Sequence, residues 1–181
     1  MITRAEALDL INRKIENKNL VKHMIAVEAV MRGLARCLGE DEELWSLTGL
    51  LHDLDYQETV DNFSQHGHVT CQMLEGKLPP EALHAILAHP GHVKPESAFD
   101  WALYCADPVT GLIIAAALMH PSHSLSGLQV KSVSKRFKDK RFAAGADRDQ
   151  IMTCTNLGLE RDEFLALALE SMRSASDELG L

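Results

Sequence analysis

The sequence predicts an all-α protein, and three observations carry that prediction. Apolar residues recur at helical spacing, as in Leu20, Met24, Val27, Met31, Leu34 and Leu38. Helix start and stop residues punctuate the chain from Thr3 to Asp147. No run alternates apolar and polar side chains as a half-buried strand requires. The 181 residues, 46% apolar and 24% charged, suit one globular domain and exclude a disordered or fibrous chain. A chain of this size buries roughly two-thirds of its unfolded surface, so it needs no disulfide or metal to fold. Any metal it binds then has a functional role.

The elements follow in order. Thr3 and Glu6 form a capping box that opens a first helix running to about Glu16. Asn19 caps a second, which Gly39 stops. The acidic run Glu40–Glu43 suits the positive end of a third helix, which carries Leu44, Leu47, Leu50 and Leu51 to His52-Asp53. The polar stretch Gln57–Ser64 reads as a loop, and about Gln65–Glu75 as a fourth helix. Pro79-Pro80 start a fifth helix, which ends at His89 before Pro90-Gly91. Ser97 caps a sixth that runs toward Met119. His120–Gly127 is a loop, a short basic helix or turn lies within Val130–Lys138, Asp147 caps another helix, and Leu159–Leu179 closes the chain. The core is expected over residues 1–120, with a C-terminal helical extension, 121–181, packed on it.

Charge is distributed unevenly. The net charge of −8 conceals a segment, 37–130, with only Lys77 and Lys94 against 13 acidic residues, and a segment, 131–148, with 7 basic and 2 acidic residues. An acidic body argues against general nucleic-acid binding, while the basic segment suits one small phosphorylated ligand. The four cysteines, Cys37, Cys71, Cys105 and Cys154, form no C-x-x-C pair and read as buried free thiols of a reducing compartment. The first residues hold no apolar signal core, and the most apolar run, Trp101–Met119, contains Asp107, Pro108 and Gly111. A cytoplasmic protein without a membrane span is the expectation, with that run as a buried core helix. Its oligomeric state is not legible.

Eight of the nine histidines lie within residues 52–123, the acidic region, and clustered imidazoles with carboxylates are what a divalent transition-metal site requires. His52-Asp53 ends a leucine-rich helix, where a turning backbone lets both side chains reach one ion; it also reads as a histidine facing a helix C-terminus with a turn after it. His23 lies on the apolar side of its helix, as a ligand or as a hydrogen-bonded core residue. Asp107 sits in the most apolar run with no basic residue between Lys94 and Lys131 to pair with it. A metal would supply that charge, although Asp107-Pro108 equally reads as an N-cap with proline at N1.

In order, these residues resemble the HD superfamily of metal-dependent phosphohydrolases. Leu50-Leu-His-Asp-Leu54 is similar to its His-Asp core, and His66-Gly-His-Val-Thr-Cys-Gln-Met-Leu74 to the segment that follows in two-metal members. Ala85-Ile-Leu-Ala-His89 resembles the helix ending in a further histidine, and Ala102-Leu-Tyr-Cys-Ala-Asp-Pro-Val-Thr-Gly111 the helix carrying the last aspartate. The resemblance spans about residues 20–115. It implies an HD-type helical bundle in which His23, His52, Asp53 and Asp107 hold a first metal. Asp53 then bridges to a second held by His66 and His89, with His92 able to replace or assist His89. One or two ions per chain, of Fe, Mn, Zn, Co or Ni, are implied. They would serve hydrolysis of a small phosphorylated metabolite or nucleotide, with Asp53 and His52 at the catalytic centre.

The superfamily also holds di-iron oxygenases with the same ligand pattern, and a non-catalytic regulatory domain with a decayed site is a further alternative. Lys131, Lys135 and Arg148 are candidate substrate-phosphate contacts, against the plainer reading of a solvated basic face. Asp55 reads as a solvated turn residue, or as an acceptor that orients a ligand histidine. Tyr56 packs or reaches substrate.

Overall fold

The computed structural model describes all 181 residues and contains helices and turns but no strand. The eleven α-helices are α1 (Arg4–Lys14), α2 (Lys18–Leu38), α3 (Glu42–Leu51), α4 (Tyr56–Thr59), α5 (His68–Leu74), α6 (Pro80–Ala88), α7 (Ala98–Leu118), α8 (Val130–Lys138), α9 (Arg148–Met152), α10 (Arg161–Arg173) and α11 (Ser176–Leu179), with short 3₁₀ turns at Phe63–Gln65 and Thr153–Leu157. Local chemistry accounts for most of the boundaries. The Thr3/Glu6 capping box forms, as does a second from Ser97 and Asp100. Gly39 closes α2 with φ +75°, a left-handed conformation that costs glycine little.

Several details differ from the sequence expectation or settle what it left open. Asn17, not Asn19, caps α2, accepting from the Asn19 and Leu20 N–H groups at 3.0 and 3.4 Å. The polar stretch after Asp55 holds α4 and a 3₁₀ turn, because Asp55 and Thr59 close a helical turn through main-chain and hydroxyl bonds. The last helix breaks at Ser174-Ala175 into α10 and α11. Asp107-Pro108 is not a helix start: α7 runs unbroken from Ala98 to Leu118 with Pro108 inside it, tolerating the one main-chain bond that a proline cannot donate.

Helix α7 is the axis of the molecule. It packs against α2, α6, α8, α9 and α10, burying Phe99, Leu103, Ala106, Leu112 and Ile113. It is the one helix long and apolar enough to cross a membrane by length and composition, and here that apolar surface forms the core. The buried apolar cluster runs without interruption from Ile11 and Met31 through α7 to Phe164 and Leu169 of α10. Of the cysteines, Cys105 and Cys154 are buried and Cys71 half-buried, but Cys37 is exposed near the end of α2, contrary to expectation.

Candidate metal centre

The site begins with a close helix crossing. A Cβ on Gly49 of α3 would lie 2.9 Å from the Val27 carbonyl oxygen and 2.8 Å from Met31 on α2, so only glycine permits this approach. The crossing brings His23 of α2 and His52, the C-cap of α3, to a ring separation of 5.2 Å. His89 is likewise the C-cap of α6, and its ring lies 4.9 Å from that of His52. His66 arrives on an extended residue, and Gly67 then turns the chain into α5 with φ +80°. A Cβ at Gly67 would stand 3.0 Å from the Ile86 carbonyl oxygen.

Each of the four rings spends its Nδ1–H on a protein acceptor. His52 donates to the Gly49 carbonyl at 2.8 Å and His89 to the Ile86 carbonyl at 2.6 Å, both three residues back. Ile86 is open to this because the residue four positions on is Pro90, which has no N–H. His66 donates to Asp55 at 2.7 Å. His23 donates to the Thr110 hydroxyl at 3.0 Å, whose own hydrogen is committed to the Asp107 carbonyl at 2.9 Å. The other nitrogen of each ring, Nε2, therefore faces inward.

Those four Nε2 atoms surround Asp53. Its Oδ1 lies 3.4, 3.3 and 3.4 Å from Nε2 of His52, His66 and His89, and its Oδ2 lies 3.5 Å from that of His23. Asp107 closes the other side, 3.1 Å from His23 Nε2 and 3.9 Å from His52 Nε2. The donor atoms fall into two compact sets, His23, His52 and Asp107, and His52, Asp53 and His89. His66 Nε2 lies 3.1 Å from His89 Nε2.

Electrostatics shows what this arrangement lacks. His52 Nε2 is fully buried with no hydrogen-bond partner, a deficit that costs about 1–3 kcal/mol unless a ligand meets it. Burial holds the His52 pKa down at about 4 even with Asp53 alongside, so its lone pair stays available at neutral pH. Burial also opposes charging of His66, but the carboxylates of Asp53 and Asp55 outweigh it and lift that pKa to about 9. Asp53 stays ionised well below the usual carboxylate range despite its burial, because His52, His66 and His89 surround it. His23 does the same for Asp107. Four converging imidazole Nε2 atoms, two ionised carboxylates and one orphaned lone pair on His52 fit borderline divalent metals, with His66 giving up its proton on loading.

The HD domain family profile matches residues 20–118, more than half of the chain. The chain belongs to the HD domain family. It is 24% identical over 166 residues to a ribonuclease Y of Sulfurovum sp., covering 90% of this chain and 33% of that relative. It is 34% identical over 96 residues to the ribonuclease Y of Desulforudis audaxviator, covering 51% of this chain and 18% of the relative. For that of Desulforamulus reducens the figures are 30% over 140 residues, 73% and 27%. The chain thus spans a third or less of the length of these curated relatives. No solved structure gives a significant match.

Within this HD domain the structure gathers all six residues singled out in the sequence: His23, His52, Asp53, His66, His89 and Asp107. His89, not His92, occupies the cluster; His92 packs on Phe63 and His68, with ring separations of 5.7 and 5.4 Å. Asp55 is no solvated turn residue. It is fully buried, accepts from His66 and from the Thr70 N–H at 2.8 Å, and so fixes the His66 ring while anchoring α5.

The candidate substrate-phosphate contacts of the basic segment, Lys131, Lys135 and Arg148, are not among the residues of the cluster. Arg148 directs its guanidinium at the main-chain carbonyls of Phe137, Asp139, Phe142, Ala143 and Ala146, so its donors are spent on holding that loop. Lys131 is exposed on α8, and Lys135 borders a groove at Ala116, Met119 and His120. Ala116 is nine residues along α7 from Asp107, about 13 Å at a helical rise of 1.5 Å per residue. Sequence reasoning missed Thr110 and the loop Ala143–Ala146. Thr110 carries a legible signal, three positions after Asp107 on one helix face. The loop carries none, since small residues next to a basic run read as a connector.

Proposed function

We propose that this HD domain is a metal-dependent hydrolase acting on the phosphate ester of a small metabolite or nucleotide. The family is one of metal-dependent phosphohydrolases, and the observation that carries the reading is the convergence of four inward-facing Nε2 atoms and Asp53 in a chamber open on one side. Asp53, His23, His52 and Asp107 would hold one ion, and Asp53, His66 and His89 a second, drawn from Fe, Mn, Zn, Co or Ni. Such ions, when bound, supply a water that ionises near neutral pH and positive charge for the phosphate oxygens.

The chain's own residues do the rest. Asp53 is placed to bridge, with one oxygen toward His66 and His89 and the other toward His23. Gly49, Ile86, Thr110 and Asp55 hold the four rings in a fixed orientation, so loading needs no turn of a ring and only the loss of the His66 proton. Buried His52, His66 and His89 keep bulk water from the deep end, while His23 and Asp107 meet the solvent.

The names of the relatives favour one second reading, a phosphodiester such as an RNA linkage as the bond cut, against which stands the acidic body. Purified chain loaded in turn with each metal, assayed against phosphomonoesters, nucleotides and short RNA, tests both. Chelator-sensitive release of phosphate or of a nucleotide is the expected result. Metal-replete protein that hydrolyses none of them, or that instead consumes O₂ with an iron-bound substrate, refutes the reading.

A further inference from the structure

Access to the donor cluster is one-sided. The side chains of His52, His66 and His89 are 0%, 3% and 1% exposed, whereas those of His23 and Asp107 are 22% and 28% exposed. Those two residues open onto a cleft of about 320 Å³, whose other walls are Pro108, Gly111, Ala143, Gly145 and Ala146. The exposed edge of the cluster therefore faces the space between Gly111 of α7 and the Ala143–Ala146 loop.

That loop is built, not slack. Arg148 ties its Ala143 and Ala146 carbonyls to those of Phe137, Asp139 and Phe142 just before it, and Ala143 adopts a left-handed φ of +46° that an alanine holds only where its surroundings impose it. The N–H groups of Ala143, Ala144 and Gly145 have no main-chain partner. Gly111 and Gly145 are open: a Cβ added to either would meet nothing within 4 Å. Neither glycine has a positive φ, so backbone conformation does not require glycine there. Their lack of a side chain instead keeps the cleft clear.

The chemistry of the walls is selective. Apart from His23 and Asp107 they carry no charged side chain, and no Lys or Arg lines the cleft. A phosphodiester chain lying in the cleft would meet no cation on its walls, whereas such chains are gripped through cationic contacts along the backbone. A volume near the lower limit for small-molecule sites suits a compact ligand. The geometry points to the cleft between Gly111 and the Arg148-clamped loop as the subsite for the organic part of the substrate, a small uncharged alcohol carrying one phosphate. This rests on the hydrolase reading above. It narrows that reading to small phosphomonoesters, with Gly111 and Gly145 as specificity-determining positions and Arg148 as a positioning residue.

The test uses the full chain loaded with diamagnetic Zn²⁺ and followed by backbone amide NMR, with two probes: inorganic phosphate and phenylphosphonate, which adds a compact uncharged group and cannot be hydrolysed. Phenylphosphonate is expected to shift the Gly111, Ala143 and Gly145 amides beyond the shifts phosphate causes. Gly145→Val is expected to weaken phenylphosphonate about tenfold and phosphate by less than about twofold, and Gly111→Val, from the opposite wall, should do the same. Phosphate binding with phenylphosphonate affinity unchanged in both variants overturns the subsite while leaving the hydrolase reading standing. A single-stranded oligoribonucleotide that binds more tightly than phenylphosphonate has the same consequence. Failure of the Zn²⁺-loaded chain to bind even phosphate removes both.

Discussion

Asp53→Asn is the substitution that tests the site most directly. It keeps the shape of the side chain and removes its charge. In the structure that charge lies within 3.5 Å of all four Nε2 atoms, so no position among them escapes its field. At an effective dielectric of about 20, opposite unit charges 4 Å apart attract by about 4 kcal/mol, so the loss is about 10³-fold in affinity, counting each ion only once as a unit charge. The change also leaves Asp107 as the one carboxylate facing two dications, so their mutual repulsion is less offset. Metal per chain, measured by plasma mass spectrometry after desalting, should fall below about a tenth of the wild-type content, with turnover down about 10³-fold or more. The fold should persist, because Leu50, Leu51 and Leu54 around it are untouched and stay buried. Far-UV circular dichroism checks this. A folded Asp53→Asn protein that retains two metals and near-normal turnover would falsify the bridging role.

Three further outcomes follow from named contacts. Asp55→Ala frees the His66 ring and unties α5 at Thr70, and should lower metal affinity or turnover about 10–100-fold, less than Asp53→Asn; equal losses in the two variants, measured side by side, would contradict the assigned roles. Arg148→Ala leaves five carbonyls to half-exposed solvation and should cost about 2 kcal/mol, lowering the melting temperature by about 4–8 °C at this chain length with metal content retained; an unchanged melting temperature would show the clamp to be idle. In metal-free protein, His52 has a folded pKa near 4 against about 6.5 unfolded, so only the unfolded chain takes up its proton as pH falls between them, and stability drops toward acid. His66, with a folded pKa near 9, keeps its proton where the unfolded chain loses it, so stability also drops as pH rises from about 6.5 to 9. Urea midpoints of the chelated protein should peak near pH 6.5; a flat or monotonic profile from pH 5 to 9 would refute the pairing.

The helical architecture was legible because its signals are local. Caps such as Thr3/Glu6, the three-four spacing in α2 and the stop at Gly39 each act within one or two turns. The six donors were legible because their order along the chain matches a known pattern, which stands in for a three-dimensional fact. The contacts that sequence reasoning missed are long-range or small. Asp55 looked like a turn residue because its partners, His66 and Thr70, arrive 11 and 15 residues later. Arg148 read as a candidate phosphate contact or as part of a solvated basic face, because a sequence shows a guanidinium but not the carbonyls turned toward it. Asp107-Pro108 left a helix start open because proline favours N1, and the packing of α7 against five other helices outweighed the single hydrogen bond it forfeits.

The two helix-end histidines show how the fold and the site share one device. The C-terminal turns of α3 and α6 leave carbonyls without helical donors. His52 and His89 each answer one with Nδ1–H, three residues back, and so settle their own tautomer without any residue devoted to that purpose. The same ends carry the negative poles of two helix dipoles. Both poles are directed at the cluster around Asp53, which favours positive charge there whether as a proton on His66 or as a metal ion. The consequence reaches Gly67. A side chain there would press on the Ile86 carbonyl, the acceptor that orients His89, and would have to adopt a φ of +80°. Gly67→Ala should therefore lose metal while the distant core remains intact, as a site set by main-chain acceptors requires. Full metal loading in Gly67→Ala would show that ring orientation is not fixed by the helix end.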